Sequence, residues 1–141
     1  MSDAMIYTRE YEVQKDDFAA AGEVSATIKN KLKQMGVNPN LIRKIAIASY
    51  EAEINMIIHS LGGHMLLNID DSAITIICED RGPGIPDINL AMKEGYSTAS
   101  DMVREMGFGA GMGLPNINKN SDNMKIESSP AGTKLTLHFT M

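Results

Sequence analysis

The chain is poor in residues that staple, stack or span. A single cysteine, Cys78, in 141 residues excludes an intramolecular disulfide and with it a secreted disulfide scaffold, so a reducing compartment is expected. There is no Trp, and three Phe and four Tyr leave little material for base-stacking platforms. Acidic side chains outnumber basic ones by 18 to 13, giving a net charge of -5. That balance argues against general nucleic-acid binding, which neutralises phosphates with Lys and Arg. No apolar run approaches the ~18 residues of a membrane span, and the opening MSDAMIYTRE carries no signal-peptide core. A cytoplasmic location is expected.

What is present suits a folded core. The chain is 43% hydrophobic and 22% charged, and its length falls within the range of about 100–200 residues for one domain. Residues 1–141 are therefore expected to form a single domain. Eleven Met suit a soft, adaptable core. No internal repeat, low-complexity tract or Pro-, Gly- or Ser-rich linker breaks the chain.

Residues 5–13 predict an opening strand. Asp16 and Asp17 suit a helix start, with apolar residues running to Met35 and Gly36 as a stop. Asn38-Pro39 predicts a second start, an N-cap followed by proline at the first helical position, for a helix reaching about Ser60. Two strands, 64–69 and 73–79, flank the tight turn Asp70-Asp71-Ser72. A Gly- and Pro-rich turn over 80–86, a short helix over 88–93 and a glycine-dense stretch without periodicity over 95–113 follow. Such a long irregular segment in a compact domain points to function or disorder. A helix over 114–121 and a hairpin of 124–128 with 133–140 complete the pattern. Helices interleaved with antiparallel strand pairs predict an α+β fold, a two-layer sandwich with one sheet covered by helices on one face.

Three stretches carry polar or glycine-rich patterns in unexpected places. On the helix 39–60, Glu51 shares a sector with Ile47, Ile54 and Ile58, and Asn55 projects from the same side one turn on. Glu53 lies about 200° away, near Ser49 and Ser60, where solvation explains it. A carboxylate within an apolar stripe is paired, protonated or facing a ligand. Taken alone, Glu51 is better explained by a salt bridge to a nearby Lys or Arg. A carboxylate one turn from a carboxamide also matches a Mg-nucleotide site, where the acid takes a hydroxyl proton and the amide oxygen ligates a hard cation.

The second stretch, Asp80-Arg81-Gly82-Pro83-Gly84-Ile85-Pro86, follows a strand directly. Its glycines allow close backbone approach to a flat ligand, and Asp80 can accept a hydrogen bond from an exocyclic amine. The third, Gly107 to Leu114, alternates glycine over seven positions before a helix. That combination offers a run of backbone N–H groups and a helix N-terminus, an anion site without basic side chains. Neither GxxxxGK[ST] nor GxGxxG occurs, and the HRD and DFG signatures of eukaryotic-type protein kinases are absent.

In this order on one chain, the three stretches resemble the Bergerat-fold (GHKL-type) ATPases, and within them the bacterial anti-sigma-factor serine kinases and the stress-response switch-protein kinases. The N-box resembles Glu51-Ala52-Glu53-Ile54-Asn55, the first glycine box Glu79 to Asp87, and the lid Gly95-Tyr96-Ser97-Thr98. The second glycine box resembles Gly107 to Pro115, and the closing signature Gly132-Thr133. The resemblance implies a mixed, largely antiparallel sheet, ATP and Mg²⁺ as cofactors, and phosphoryl transfer to a serine or threonine of a small STAS-type antagonist. It also implies coupling to release of a sigma factor or another regulator. A homodimer is left open.

The implied roles fall on named residues. Glu51 would be the general base, and Asn55 would ligate Mg²⁺ bridging the phosphates. Asp80 would bind the adenine amine with Thr133 in support, and Gly82 and Gly84 would line the adenine pocket. Thr98 belongs to the lid, and Gly107, Gly109, Gly111 and Gly113 to the phosphate-facing glycines, with more than one Gly-x-Gly pair eligible as the second box. Arg104, six residues after Thr98, would reach the terminal phosphate. An ATP-gated binding module without chemistry is the alternative. A sensor histidine kinase fragment is disfavoured, because Glu51 stands where those N-boxes carry Asn. His59 is expected to fill helix packing, His64 to begin a strand, and Cys78 to act as a small buried hydrophobe.

Overall fold

The computed structural model describes residues 7–82, 88, 92 and 113–141. In chain order they form β1 (Tyr7–Val13), a 3-10 turn (Phe18–Ala20), α1 (Glu23–Gln34), α2 (Pro39–His59), β2 (Gly63–Ile69) and β3 (Ala73–Asp80). Then come α3 (Gly113–Asn120), β4 (Asn123–Ser129) and β5 (Gly132–Thr140). The helix expected over 88–93 lies mostly outside the described residues, although the Met92 N–H donates to the Ile88 carbonyl at 3.0 Å.

The expected first helix is interrupted. Asp16 takes a left-handed backbone, φ 59, its N–H donating to the Ile57 carbonyl, and Gly22 sits at φ 91 as N-cap of α1. Glycine is needed there for its positive φ, and a Cβ would stand 3.2 Å from the Tyr50 ring. α2 starts as expected: Asn38 accepts from the Asn40 N–H at 2.8 Å ahead of Pro39. It ends where the Ser60 hydroxyl returns to the Met56 carbonyl and accepts from the Gly62 N–H, with Gly62 left-handed.

The sheet runs β1-β2-β3-β5-β4, and each of its four pairings is antiparallel. No parallel pair occurs among the described residues, so the antiparallel part of the expected mixed sheet is what they contain. The β2–β3 turn is fixed by Asp70, whose carboxylate accepts from the N–H groups of Ser72 and Ala73. One face of the sheet supplies Met65, Leu67, Ile69, Ile74, Ile76, Leu137 and Phe139, all at most 1% exposed. Register aligns them in rows, Leu67–Ile76–Leu137 and Ile69–Ile74–Phe139. Against them pack Ile28 and Leu32 of α1, Ile45 and Ile57 of α2, and Ile117 of α3. The other face is largely polar. Its row Glu12–His64–Glu79–Lys134–Glu127 alternates carboxylates with His64 and Lys134. His64 lies in β2 as expected, 3.5 Å from Glu79 and 3.8 Å from Glu10.

Cys78, in the middle strand, is buried, and burial pushes its thiol up to about 12, with Asp80 and Glu53 adding to the effect. His59 is half-buried, and desolvation lowers its pKa. No described helix is long and apolar enough to cross a membrane.

Candidate functional site

Three sequence-predicted residues meet where α3 crosses α2. Glu51 and Asn55 are one turn apart and both half-buried. The Asn116 side chain of α3 hydrogen-bonds Glu51. Gly113, the first residue of α3, sits so close to Asn55 that a Cβ there would stand 2.9 Å from both the amide nitrogen and the amide oxygen. Absence of a side chain at Gly113 thus lets the start of α3, with its positive dipole end, approach the carboxamide. Burial raises the Glu51 pKa above the usual carboxylate range, and the Asn116 hydrogen bond opposes it. A carboxylate raised in this way is a better base than an exposed one at the same pH.

A second group lies at the end of β3. Asp80 shares the helix-covered face with Cys78, two residues earlier on the strand. It therefore lies on the same side of the sheet as α2. Its Oδ1 accepts from the Thr133 N–H at 2.9 Å, and among the described residues its Oδ2 has no hydrogen-bond donor. Burial raises the Asp80 pKa, and the Thr133 bond lowers it. The Thr133 and Ser128 hydroxyls are 2.9 Å apart. Two glycines crowd this strand end: a Cβ on Gly63 would strike the Glu79 carbonyl, and one on Gly132 would strike the Asp80 carbonyl.

At Gly82 the structure shows a main-chain reason for glycine. A Cβ there would strike the Pro130 carbonyl, and its N–H donates to the Ala131 carbonyl at 2.6 Å. Gly82 is thereby held against the β4–β5 turn. Gly84, Thr98, Arg104, Gly107, Gly109 and Gly111 lie outside the described residues.

Glu53 departs from its solvated expectation. It is 1% exposed, and its carboxylate accepts from the backbone N–H groups of Gly22, Val24 and Ser25 at 3.0–3.2 Å. The side chain of α2 thereby caps α1, satisfying donors that every helix start leaves open. Burial raises its pKa and the three bonds pull it down. The polar flank expected to be solvated is buried: Ser49 and Ser60 are covered too, each bonded to a carbonyl of its own helix. Ile47, placed in the apolar sector, is 39% exposed. Asn116 was missed altogether. Its one signal is its place between Leu114 and Ile117, polar within a short amphipathic helix.

The described residues thus form two groups on the helix-covered side of the sheet. A half-buried carboxylate, a carboxamide and a helix start meet at the α2–α3 junction, and a second carboxylate with an oxygen to spare lies at the end of β3. The chain belongs to the histidine kinase-like ATPase domain family, whose model matches residues 15–139. Among curated relatives, it is 28% identical over 116 residues to the serine/threonine-protein kinase RsbT of Bacillus subtilis (strain 168), covering 79% of each chain. It is 34% identical over 102 residues to an anti-sigma F factor of Clostridium acetobutylicum, covering 68% of each. The fold matches the crystal structure of the SiaB–SiaC complex from Pseudomonas aeruginosa, with a TM-score of 0.61 and 12% identity over 96% of this chain and 89% of that one. It also matches the RsbU and RsbW domains of Rv1364c from Mycobacterium tuberculosis, with a TM-score of 0.64 and 18% identity. That match covers 94% of this chain but only 32% of the larger one.

Proposed function

We propose that the chain is an ATP-dependent serine/threonine protein kinase of the anti-sigma regulatory type, acting on a small STAS-type antagonist protein in the cytoplasm. The observation that carries this reading is the junction of α2 and α3, where Glu51, Asn55 and the glycine start of α3 come together. The donor set fits a magnesium nucleotide: Asn55 offers a hard oxygen, α3 offers backbone N–H groups, and the second oxygen of Asp80 suits the adenine amine. Among the described residues no group of three His, Cys, Asp or Glu could hold a metal, so Asn55 would share the cation with phosphate and water. When bound, Mg²⁺ supplies charge neutralisation across the phosphates.

In this reading Glu51 accepts the proton of the acceptor hydroxyl as its oxygen bonds to the γ-phosphorus, and ADP departs with the bridging oxygen. Asn116 orients the base. Asp80, held by Thr133, orients the adenine ring, with Gly84 beside it. Gly113 offers an amide to the phosphates together with Gly107, Gly109 and Gly111, and Thr98 and Arg104 act from the lid, Arg104 on the terminal phosphate. The relatives' names, a serine/threonine kinase and an anti-sigma factor, support the reaction class and the kind of partner.

The test is Glu51→Gln, assayed with labelled ATP and the antagonist protein of the same organism. Transfer should fall by at least about 100-fold, the scale of lost general-base catalysis, while ATP affinity changes less than threefold. Transfer at the wild-type rate removes Glu51 as the base. Binding of ATP without phosphate on the partner, even with wild type, favours the ATP-gated binding module.

A further inference from the structure

Charge is distributed unevenly along this acidic chain. Residues 24–50 contain five cations, Lys29, Lys31, Lys33, Arg43 and Lys44, and no Asp or Glu. The remaining residues therefore hold 8 of the 13 basic side chains and all 18 acidic ones. The hairpin of α1 and α2 turns this stretch back on itself. Near its turn lies a groove of about 520 Å³, with Lys29, Lys33 and Arg43 on its walls and Val37, Ile42 and Ile47 among its apolar lining. All three cations are exposed, and none makes an ion pair among the described residues.

One row of α2 residues leads from the groove toward the candidate site. Pro39, Arg43, Ile47, Glu51 and Asn55 are spaced four apart and form one ridge of α2. The first three are exposed, and Glu51 and Asn55 are half-buried. Eight residues separate Arg43 from Glu51, about 12 Å along the axis, the span of three or four residues of extended chain.

We propose that the α1–α2 groove is a docking site for an acidic, apolar-bearing segment of the acceptor protein, which lays the phosphorylatable residue along the α2 ridge toward Glu51. Charge complementarity selects the occupant: Asp or Glu side chains of the segment meet Lys29, Lys33 and Arg43, while one or two apolar residues cover Ile42 and Ile47. Among the described residues the groove lining contains no aromatic side chain, which disfavours a nucleic-acid strand stacked on its bases. A membrane surface would reach the exposed rim but not the apolar floor between the helices. The inference rests on the kinase reading for its purpose, though not for the binding itself.

Two measurements separate them. The first uses a fluorescein-labelled 18-residue peptide, an amphipathic helix of Glu and Leu, titrated into wild type, Glu51→Gln and the triple variant K29Q/K33Q/R43Q. Wild type and Glu51→Gln should bind alike, the triple variant at least tenfold more weakly, and amide shifts should cluster on residues 29–47. Equal binding to the triple variant, shifts elsewhere, or stronger competition by a 20-base-pair DNA duplex or by phosphatidylglycerol vesicles overturns the proposal. The second is phosphotransfer to the antagonist protein by the triple variant. KM for that protein should rise at least tenfold while KM for ATP and kcat stay within twofold. Transfer with an unchanged KM overturns the docking and leaves the kinase reading standing. Peptide binding at the groove without transfer by wild type leaves docking standing and overturns the kinase reading.

Discussion

Glu51 is held at a cost that its neighbours only partly offset. Burial raises its pKa, so the folded chain binds that proton more tightly than the unfolded chain does. The stability associated with the protonated form is fully present below the ordinary glutamate pKa of about 4.3 and is lost as pH rises through the higher folded value. Glu51→Gln keeps the shape and a hydrogen-bonding partner for Asn116 without the charge. Its melting temperature should exceed that of wild type at pH 8, and the two should converge below about pH 4. Calorimetric scans across that range check this, and a constant offset would exclude ionisation as the cause. The spacing Glu51–Asn55 was legible because i and i+4 share a ridge whatever the fold does. Asn116 was not, because its contact depends on where α3 crosses α2, which no local pattern states.

At the scale of elements, α1 and α2 are joined by a clasp as well as by packing. Glu53 receives three N–H groups from the start of α1. A hydrogen bond to a charged acceptor contributes roughly 1.5–3 kcal/mol net, here reduced by the burial that raises the Glu53 pKa. Glu53→Ala should destabilise the fold by about 2–4 kcal/mol, read as a lower urea midpoint with an unchanged slope. It should also speed amide exchange at Val24 and Ser25 before the rest of α1. A midpoint within error of wild type would show that water replaces the carboxylate at no cost. Element boundaries read well wherever a cap or turn residue marks them, as at Asn38-Pro39 and Asp70. They read poorly at residues 16–22, where apolar composition runs on through a break made by two left-handed residues, Asp16 and Gly22. The solvated flank expected for α2 is buried for a related reason. Its serines bond back to their own helix, so a polar flank is buried without outside partners for their hydroxyl protons.

Across the molecule, the sheet order places β3 in the middle, with the single thiol on its covered face. With its pKa pushed up to about 12, Cys78 carries almost no thiolate at neutral pH and is shielded from reagents. Alkylation by iodoacetamide at pH 8 should therefore proceed only through global opening. Its rate should fall on stabilisation by Mg-ATP and rise with urea along the unfolding curve. Labelling within minutes in buffer would reveal a local opening of β3. The two-layer architecture was accessible from sequence because alternation marks the strands and capping marks α2. The pairing order was not, since β5 lies between β3 and β4 through a register that only the assembled rows of the core determine.

The crowding at the end of β3 has a further implication. Gly63 and Gly132 flank Asp80 from the two neighbouring strands, and each leaves no room for even one more carbon. The position of this carboxylate is therefore set by main chain on both sides, as a keystone is set by its voussoirs, and owes little to side chains that thermal motion could rearrange. An alanine at either glycine would spread the strands and swing the acid together, so rigidity and aim at this spot are inherited or forfeited as one trait.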